Sequence, residues 1–310
     1  MHMDIVDTQV HLGPGGAAER LSAMDALGIK SVLVDEWWGG WWGTRPGEPA
    51  YRVGGGGIRT TSPTAELASW THPGRFSYLV RVDPKDPEIR SVVRFARDSN
   101  FARALRIATP LPRSELTAFA EGGYNSVFAA ASEFGLPIFV SLLGHSELLT
   151  RYLEKFPGVK VIIDHCGMPP NMSMVPMIAQ LEGLADSKQY WSKLAGAPLD
   201  ESFEKVLRMA TWANVALKWA HAPSRLDAAG YPNDAARPFL RKAIDAFGAE
   251  RIMWASDVTV NPTGETWAEL LYAIKDNPDL SVEERDNILG GSARKWLDWP
   301  DLPPSQLAES

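Results

Sequence analysis

Apolar residues along the chain gather in short runs bounded by Gly, Pro or Asp, and stretches with apolar positions at helical spacing separate nearly all of them. The runs predict strands at Ile5–His11, Ser31–Trp37, Phe76–Asp83, Ala102–Thr109, Pro137–Gly144, Lys160–Gly167, Asn214–His221 and Arg251–Val258. They are β-branched or aliphatic and close to continuous, the pattern of parallel strands buried on both faces. The intervening stretches predict helices at Ala17–Leu27, Pro87–Ser99, Ala118–Glu133, Ser146–Phe156, Met174–Leu184, Glu201–Met209 and Ala235–Phe247. Within Glu147–Phe156, for example, Leu148, Leu149, Tyr152, Leu153 and Phe156 share one helical face. Ser281–Leu297 predicts one more helix or a pair. Eight strands alternating with helices predict an α/β protein, a (β/α)8 TIM barrel forming a single domain over residues 1–310. The rival is a doubly wound open sheet, which usually has fewer strands and often a Gly-rich turn after the first. Here that turn is only Gly13-Pro14-Gly15-Gly16.

One segment breaks the alternation. Trp37-Trp38-Gly39-Gly40-Trp41-Trp42-Gly43 follows the second strand, and Pro- and Gly-rich sequence continues through Gly54-Gly55-Gly56-Gly57. A long stretch of this kind is usually a functional loop. Residues 38–75 are expected to form a Trp/Gly-rich lid over the barrel mouth, with Trp37 and Trp38 as flat apolar walls of the substrate pocket. A surface flap or a subunit contact is the alternative, which leaves a homodimer open.

Composition narrows the function classes. Of 310 residues, 45% are hydrophobic, enough for a large core, and 22% are charged, which argues against disorder. The net charge of −7, without a basic block, speaks against nucleic-acid binding and a polybasic membrane anchor. Cys166 is the single cysteine, so neither an internal disulfide nor a cysteine metal cluster is expected. Met1-His2-Met3 runs straight into the first strand, and no apolar run approaches the roughly 20 residues that span a bilayer. A cytoplasmic protein acting on a small molecule is the expectation.

Candidate chemistry sits at the ends of the apolar strands, where a barrel builds its active site. The first strand ends in Gln9 and His11, two apart and on one face. The sixth ends in Asp164-His165-Cys166-Gly167 and the eighth in Ser256-Asp257. Arg81 lies on the third strand, Arg103 and Arg106 on the fourth, and Lys218 on the seventh before His221. Each has an ordinary explanation: Asp7 and Asp164 could bond loop amides, Arg81 could pair with Asp83, and a lone strand histidine is commonly structural. Jointly they should converge, and burying so many ionisable groups without purpose would be costly. Cys166 is assigned to packing.

At these residues the chain resembles the amidohydrolase superfamily, in particular the amidohydrolase-2 branch. That branch holds small-lactone hydrolases, such as 2-pyrone-4,6-dicarboxylate lactonase and sugar lactonases, and metal-dependent aromatic-acid decarboxylases. The most specific stretch is Phe156-Pro157-Gly158-Val159-Lys160-Val161-Ile162-Ile163-Asp164-His165-Cys166-Gly167-Met168-Pro169. Trp254-Ala255-Ser256-Asp257 resembles the branch's "G-S-D" strand, Ile288-Leu289-Gly290-Gly291-Ser292-Ala293 its "GGNA" helix, and Arg103-Ala104-Leu105-Arg106 its "RGxR" strand. The chain departs from the family at metal-ligand positions. Gln9-Val10-His11 stands where His-x-His or Glu-x-His is usual, and Ser141 is the nearest polar residue at the fifth-strand position, while His145 lies past the strand end. Glutamine offers only a neutral oxygen, and a catalytic zinc site wants three good ligands.

The resemblance therefore implies a lactonase-like hydrolase that works without metal or other cofactor, a divalent metal on His11 and Asp257 being the lesser option. Asp257 would activate water. His11 and His165, aided by Gln9, would polarise the carbonyl, while Arg106 and Lys218 would hold a substrate carboxylate, with Arg81 and Ser141 as further contacts. A cyclic amide or ester would suit the same groups. The competing expectations are a metal-dependent decarboxylase of an aromatic or enoic acid and a barrel that binds a small molecule without turning it over.

Overall fold

The computed structural model describes residues 3–12, 16–36, 50–107, 113–169, 198–261 and 263–300. Its sheet has eight parallel strands, labelled in chain order: β1 Ile5–Val10, β2 Ile29–Val34, β5 Phe76–Arg81, β6 Ala102–Ile107, β7 Ile138–Val140, β8 Val161–Ile163, β9 Val215–Trp219 and β10 Ile252–Trp254. β3 Ala50–Arg52 and β4 Ile58–Thr60 form a separate antiparallel pair. Each sheet strand is hydrogen-bonded to the next in sequence, in the order β1-β2-β5-β6-β7-β8-β9-β10. The two outer strands meet where Asp257 N donates to Gln9 O at 3.0 Å and Thr8 Oγ1 to Trp254 O at 2.7 Å. Helices surround this nearly closed barrel, as the alternating sequence predicts.

The strand alternation sets one layer inside the barrel against another. Val6, Leu33, Leu79, Ala104, Phe139, Ile162, Ala216 and Met253, one from each strand, form a cluster separate from the helix-facing core. Trp296, Leu297 and Trp299 join that cluster and plug the N-terminal end of the barrel. Two residues further along five of these strands come Asp35, Arg81, Arg106, Asp164 and Lys218. A period of two puts them on the same inward face, one layer nearer the mouth. The first strand is irregular, with register shifts on either side of Val6–Asp7, and that offset brings Gln9 and His11 inward.

Three expectations change. The predicted helix Ala118–Glu133 is two helices, Arg113–Ala120 and Asn125–Phe134. Gly122, at a φ of 93°, makes the break. The insertion after β2 is shorter than expected, because Pro63–Thr71 is a helix that buries Ala65, Ala68 and Ser69 and serves as the crossover from β2 to β5. Ser281–Leu297 is three short helical segments, begun by a capping box between Ser281 and Glu284. Residues 37–49 of the expected lid and the helix predicted at Met174–Leu184 lie outside the described residues. No helix among the described residues is long and apolar enough to cross a membrane.

Candidate active site

The charged layer at the mouth is tied together by ion pairs. Arg81 grips Asp35 with Nε and Nη2, each at 2.7 Å. Arg106 reaches three partners: Asp35 at 3.2 Å, Asp164 at 2.6 Å and the side-chain oxygen of Gln9 at 3.0 Å. Lys218, fully buried, bonds both Asp164 and that same Gln9 oxygen. Burial alone would raise Asp35 and Asp164. The guanidinium groups of Arg106 and Arg81 hold Asp35 well below the usual carboxylate range, while Arg106, His165 and Lys218 do the same for Asp164. Burial in turn lowers Lys218 from its ordinary value.

Above this layer three imidazoles converge on one carboxylate. His11 Nε2 lies 2.9 Å from Asp257 Oδ1, and His165 Nε2 and His221 Nε2 lie 3.2 and 2.8 Å from Oδ2. Gln9 Nε2 donates to Oδ2 at 2.7 Å. Burial pushes Asp257 up, but the neighbouring histidines hold it far below the ordinary carboxylate value. Burial lowers His221 to about 4, so it is neutral near pH 7. The His165 and His221 rings stack with centroids 5.0 Å apart.

The backbone is bent to bring these groups together. His165, His221 and Asp257 have φ of 52°, 54° and 47°, in the left-handed region that costs a residue with a Cβ about 1–3 kcal/mol each. Non-glycine residues held this way cluster at functional sites.

The structure thus brings together Gln9, His11, His165 and Asp257 as expected. It employs Arg106 and Lys218 differently: both are committed to Asp164 and Gln9, so they position Gln9 rather than stand open to a substrate. Arg81 is likewise taken by Asp35. Ser141 is buried two residues past Phe139. Arg103 is at the far end of the barrel, where it bonds Asn100 O and lies over the Trp299 ring, because it is out of phase with Arg106 on the strand. His145 turns away from the site, 3.9 Å from Glu147. Cys166 is buried and donates to Ala220 O at 3.3 Å, and burial pushes its thiol up to about 12. Trp37 and Trp38 lie outside the described residues.

Three site residues are not candidates from sequence: Asp35, His221 and Arg225. His221 falls out of phase with Lys218, so alternation points it away from the cavity; only its left-handed backbone turns it in. Arg225 follows on the short helix Ala222–Arg225. It is 5% exposed, yet among the described residues its Nε and Nη1 have no hydrogen-bond partner and no carboxylate pairs with it. Burial lowers it to about 10, partly offset by Cys166, Asp257 and Asp164.

The expectation of a metal-free centre rested on too few ligands, and His221 removes that objection. His165, His221 and Asp257 offer donor atoms that all lie within 4.8 Å of one another. Donor and acceptor accounting also fits a cation. His11 Nδ1 bonds the carbonyl of Asp35, an acceptor, and so carries hydrogen, while His165 Nδ1 lies 2.9 Å from the carboxylate of Asp164 without hydrogen-bond geometry. With Nδ1 as its donor, His11 turns the Nε2 lone pair toward Asp257 Oδ1 at 2.9 Å, two acceptors that a proton or a metal ion between them would satisfy.

The amidohydrolase family model matches residues 62–299. No curated protein matches the chain. Among solved structures it is similar to a zinc-bound amidohydrolase from Burkholderia multivorans, at 15% identity and a TM-score of 0.68, over 96% of this chain and 100% of that one. It is also similar to a Pseudomonas putida protein provisionally named 2-pyrone-4,6-dicarboxylic acid hydrolase, at 18% identity and 0.66, over 96% and 99%. A third is a 5-carboxyvanillate decarboxylase from Novosphingobium aromaticivorans in complex with manganese, at 14% identity and 0.57, over 96% and 96%.

Proposed function

The chain belongs to the amidohydrolase family, and from that premise we propose that it is a hydrolase of a small cyclic ester, a lactone bearing a carboxylate, with Asp257 at the reacting centre. The observation that carries this reading is the meeting of His11, His165 and His221 on Asp257 at the barrel mouth. Gln9, His165 and His221 all contact Oδ2, leaving Oδ1 with His11 as its one close polar neighbour among the described residues. Oδ1 is the atom placed to take a proton from water as the water oxygen attacks the carbonyl carbon. The ring C–O bond then breaks, and the departing oxygen recovers that proton. His165, with Nδ1 toward Asp164 and Nε2 toward Asp257, lies at the same reacting centre.

The donor set fits a divalent transition metal on His165, His221 and Asp257, and such an ion would polarise a carbonyl oxygen as a Lewis acid. Charge supports an anionic substrate. Among the described residues, Asp35 and Asp164 pair with Arg81, Arg106 and Lys218, whereas Arg225 pairs with no carboxylate and has Nε and Nη1 without partners, nitrogens to offer a substrate carboxylate.

Metal-dependent decarboxylation of an aromatic or enoic acid is the second reading, favoured by the metal-competent His165–His221–Asp257 group. Assay of purified protein and Asp257→Asn against a lactone panel tests the proposal. Hydrolysis by the wild type, falling at least about 10³-fold in the variant with the circular-dichroism spectrum unchanged, is the expected result; full activity in Asp257→Asn would remove the carboxylate from the mechanism.

A further inference from the structure

We propose that this chain carries a rebuilt divalent transition-metal site, with His221 as a ligand beside His165 and Asp257, drawn from the ends of β8, β9 and β10 rather than from β1. The inference stands apart from the choice of substrate and does not rest on the hydrolase reading.

Gln9 shows why a ligand has to come from elsewhere. Its one atom able to bind a metal is the side-chain oxygen, and that oxygen already accepts from Arg106 and Lys218. Two cations on the same oxygen fix the amide so that its nitrogen points to Asp257. Gln9 therefore holds the carboxylate and cannot coordinate. His221 fills the deficit: it is buried, and its Nε2 lies 2.8 Å from Asp257 Oδ2, within the same cluster of donor atoms as His165.

The other two members are prepared for the same role. His165 has its Nδ1 2.9 Å from the Asp164 carboxylate and its Nε2 3.2 Å from Asp257, so the ring presents Nε2 to the shared centre. Each of the three has a left-handed backbone, and a cation bridging their donor atoms would repay part of that strain. Two imidazoles and a carboxylate suit zinc, cobalt or manganese, with room for an exchangeable position.

The test uses the full-length protein, stripped with a chelator and titrated with Co2+ or Zn2+ alone. Calorimetry should give one equivalent, and Co2+ should develop visible absorption. His221→Gln should bind at least about 100-fold more weakly, while His145→Gln, outside the site, should bind like the wild type. Histidine 15N spectra of the wild type supply a measurement that needs no variant: the Nε2 resonances of His165 and His221 should move on adding Zn2+, and those of His145 should not. Absence of stoichiometric binding, wild-type affinity in a folded His221→Gln protein, or an unmoved His221 resonance would each overturn the site. Because these are binding readouts, loss of the proposed hydrolysis would leave the metal site standing, and the reverse also holds.

Discussion

His221 Nε2 lies 2.8 Å from Asp257 Oδ2, and each of the two residues has a left-handed backbone. They sit just beyond neighbouring strands, β9 and β10, and strand alternation alone would not make His221 face the carboxylate. The turn at each position creates the contact, so the site is a product of how the strands end more than of the strands themselves.

Arg225 separates binding from stability. Its buried guanidinium has no ion pair among the described residues, so replacing it with an apolar side chain removes a desolvation cost. Arg225→Met should melt no lower than the wild type while KM for a carboxylate-bearing substrate rises at least about tenfold, one charge-assisted hydrogen bond. KM for a neutral analogue should stay unchanged. A lower melting temperature with unchanged KM would make Arg225 a structural residue.

Lys218 should behave in the opposite way. It is fully buried between Asp164 and Gln9, and its removal leaves Asp164 short of a counter-charge. Lys218→Met should cost about 3–5 kcal/mol in chemical denaturation, and should lower kcat more than it raises KM because Gln9 loses its anchor. A variant as stable as the wild type would contradict this account of the charged layer.

Asp7 makes stability depend on pH. Its carboxylate accepts from Ser256 N and Trp267 Nε1 at the β10–β1 junction, and burial raises it to about 6. The folded protein thus binds this proton more tightly than the unfolded chain does. The contribution is fully present below the unfolded value of about 4 and is lost as pH rises through about 6, a full span of about 3 kcal/mol. Denaturant titrations of wild type and Asp7→Asn should show the wild-type advantage shrinking as pH is raised from about 4.5 to 7. A difference that is flat, or that grows with pH, would refute the assignment.

Gly290 is demanded by packing. A Cβ there would come within 1.8 Å of the carbonyl oxygen of Asp4, at the foot of the barrel. Gly290→Ala should destabilise by about 1–3 kcal/mol through displacement of the first strand, read as a lower melting temperature. An unchanged melting temperature would show that β1 yields there without cost.

Strand alternation made the barrel legible, and it placed Arg106 correctly because inward residues repeat every second position; it put Gln9 and His11 on one face, but the register shift in the first strand is what turns that face inward. The same rule, applied to Arg103, would have put it on the opposite face, where it lies. Alternation failed for His165 and His221, since left-handed turns rotate them back to the centre; its place at the end of an apolar strand marked His165, and nothing in the local pattern supplied His221. Asp35 falls inside the predicted second strand Ser31–Trp37, two residues past the inward Leu33, yet nothing in the local sequence sets it apart, and a loop-capping role explains Asp164 equally well. The helix Pro63–Thr71 escaped notice because its buried face is Ala65, Ala68 and Ser69, whereas its larger apolar residues, Leu67 and Trp70, are exposed.

The most direct test of the central claim is product analysis in ¹⁸O-labelled water with a carboxylate-bearing lactone. Ring opening by water should place one ¹⁸O atom in the new carboxylate, with every substrate carbon retained and no turnover by Asp257→Asn. Release of carbon dioxide from a carboxylic acid substrate, with no lactone opened, would contradict it.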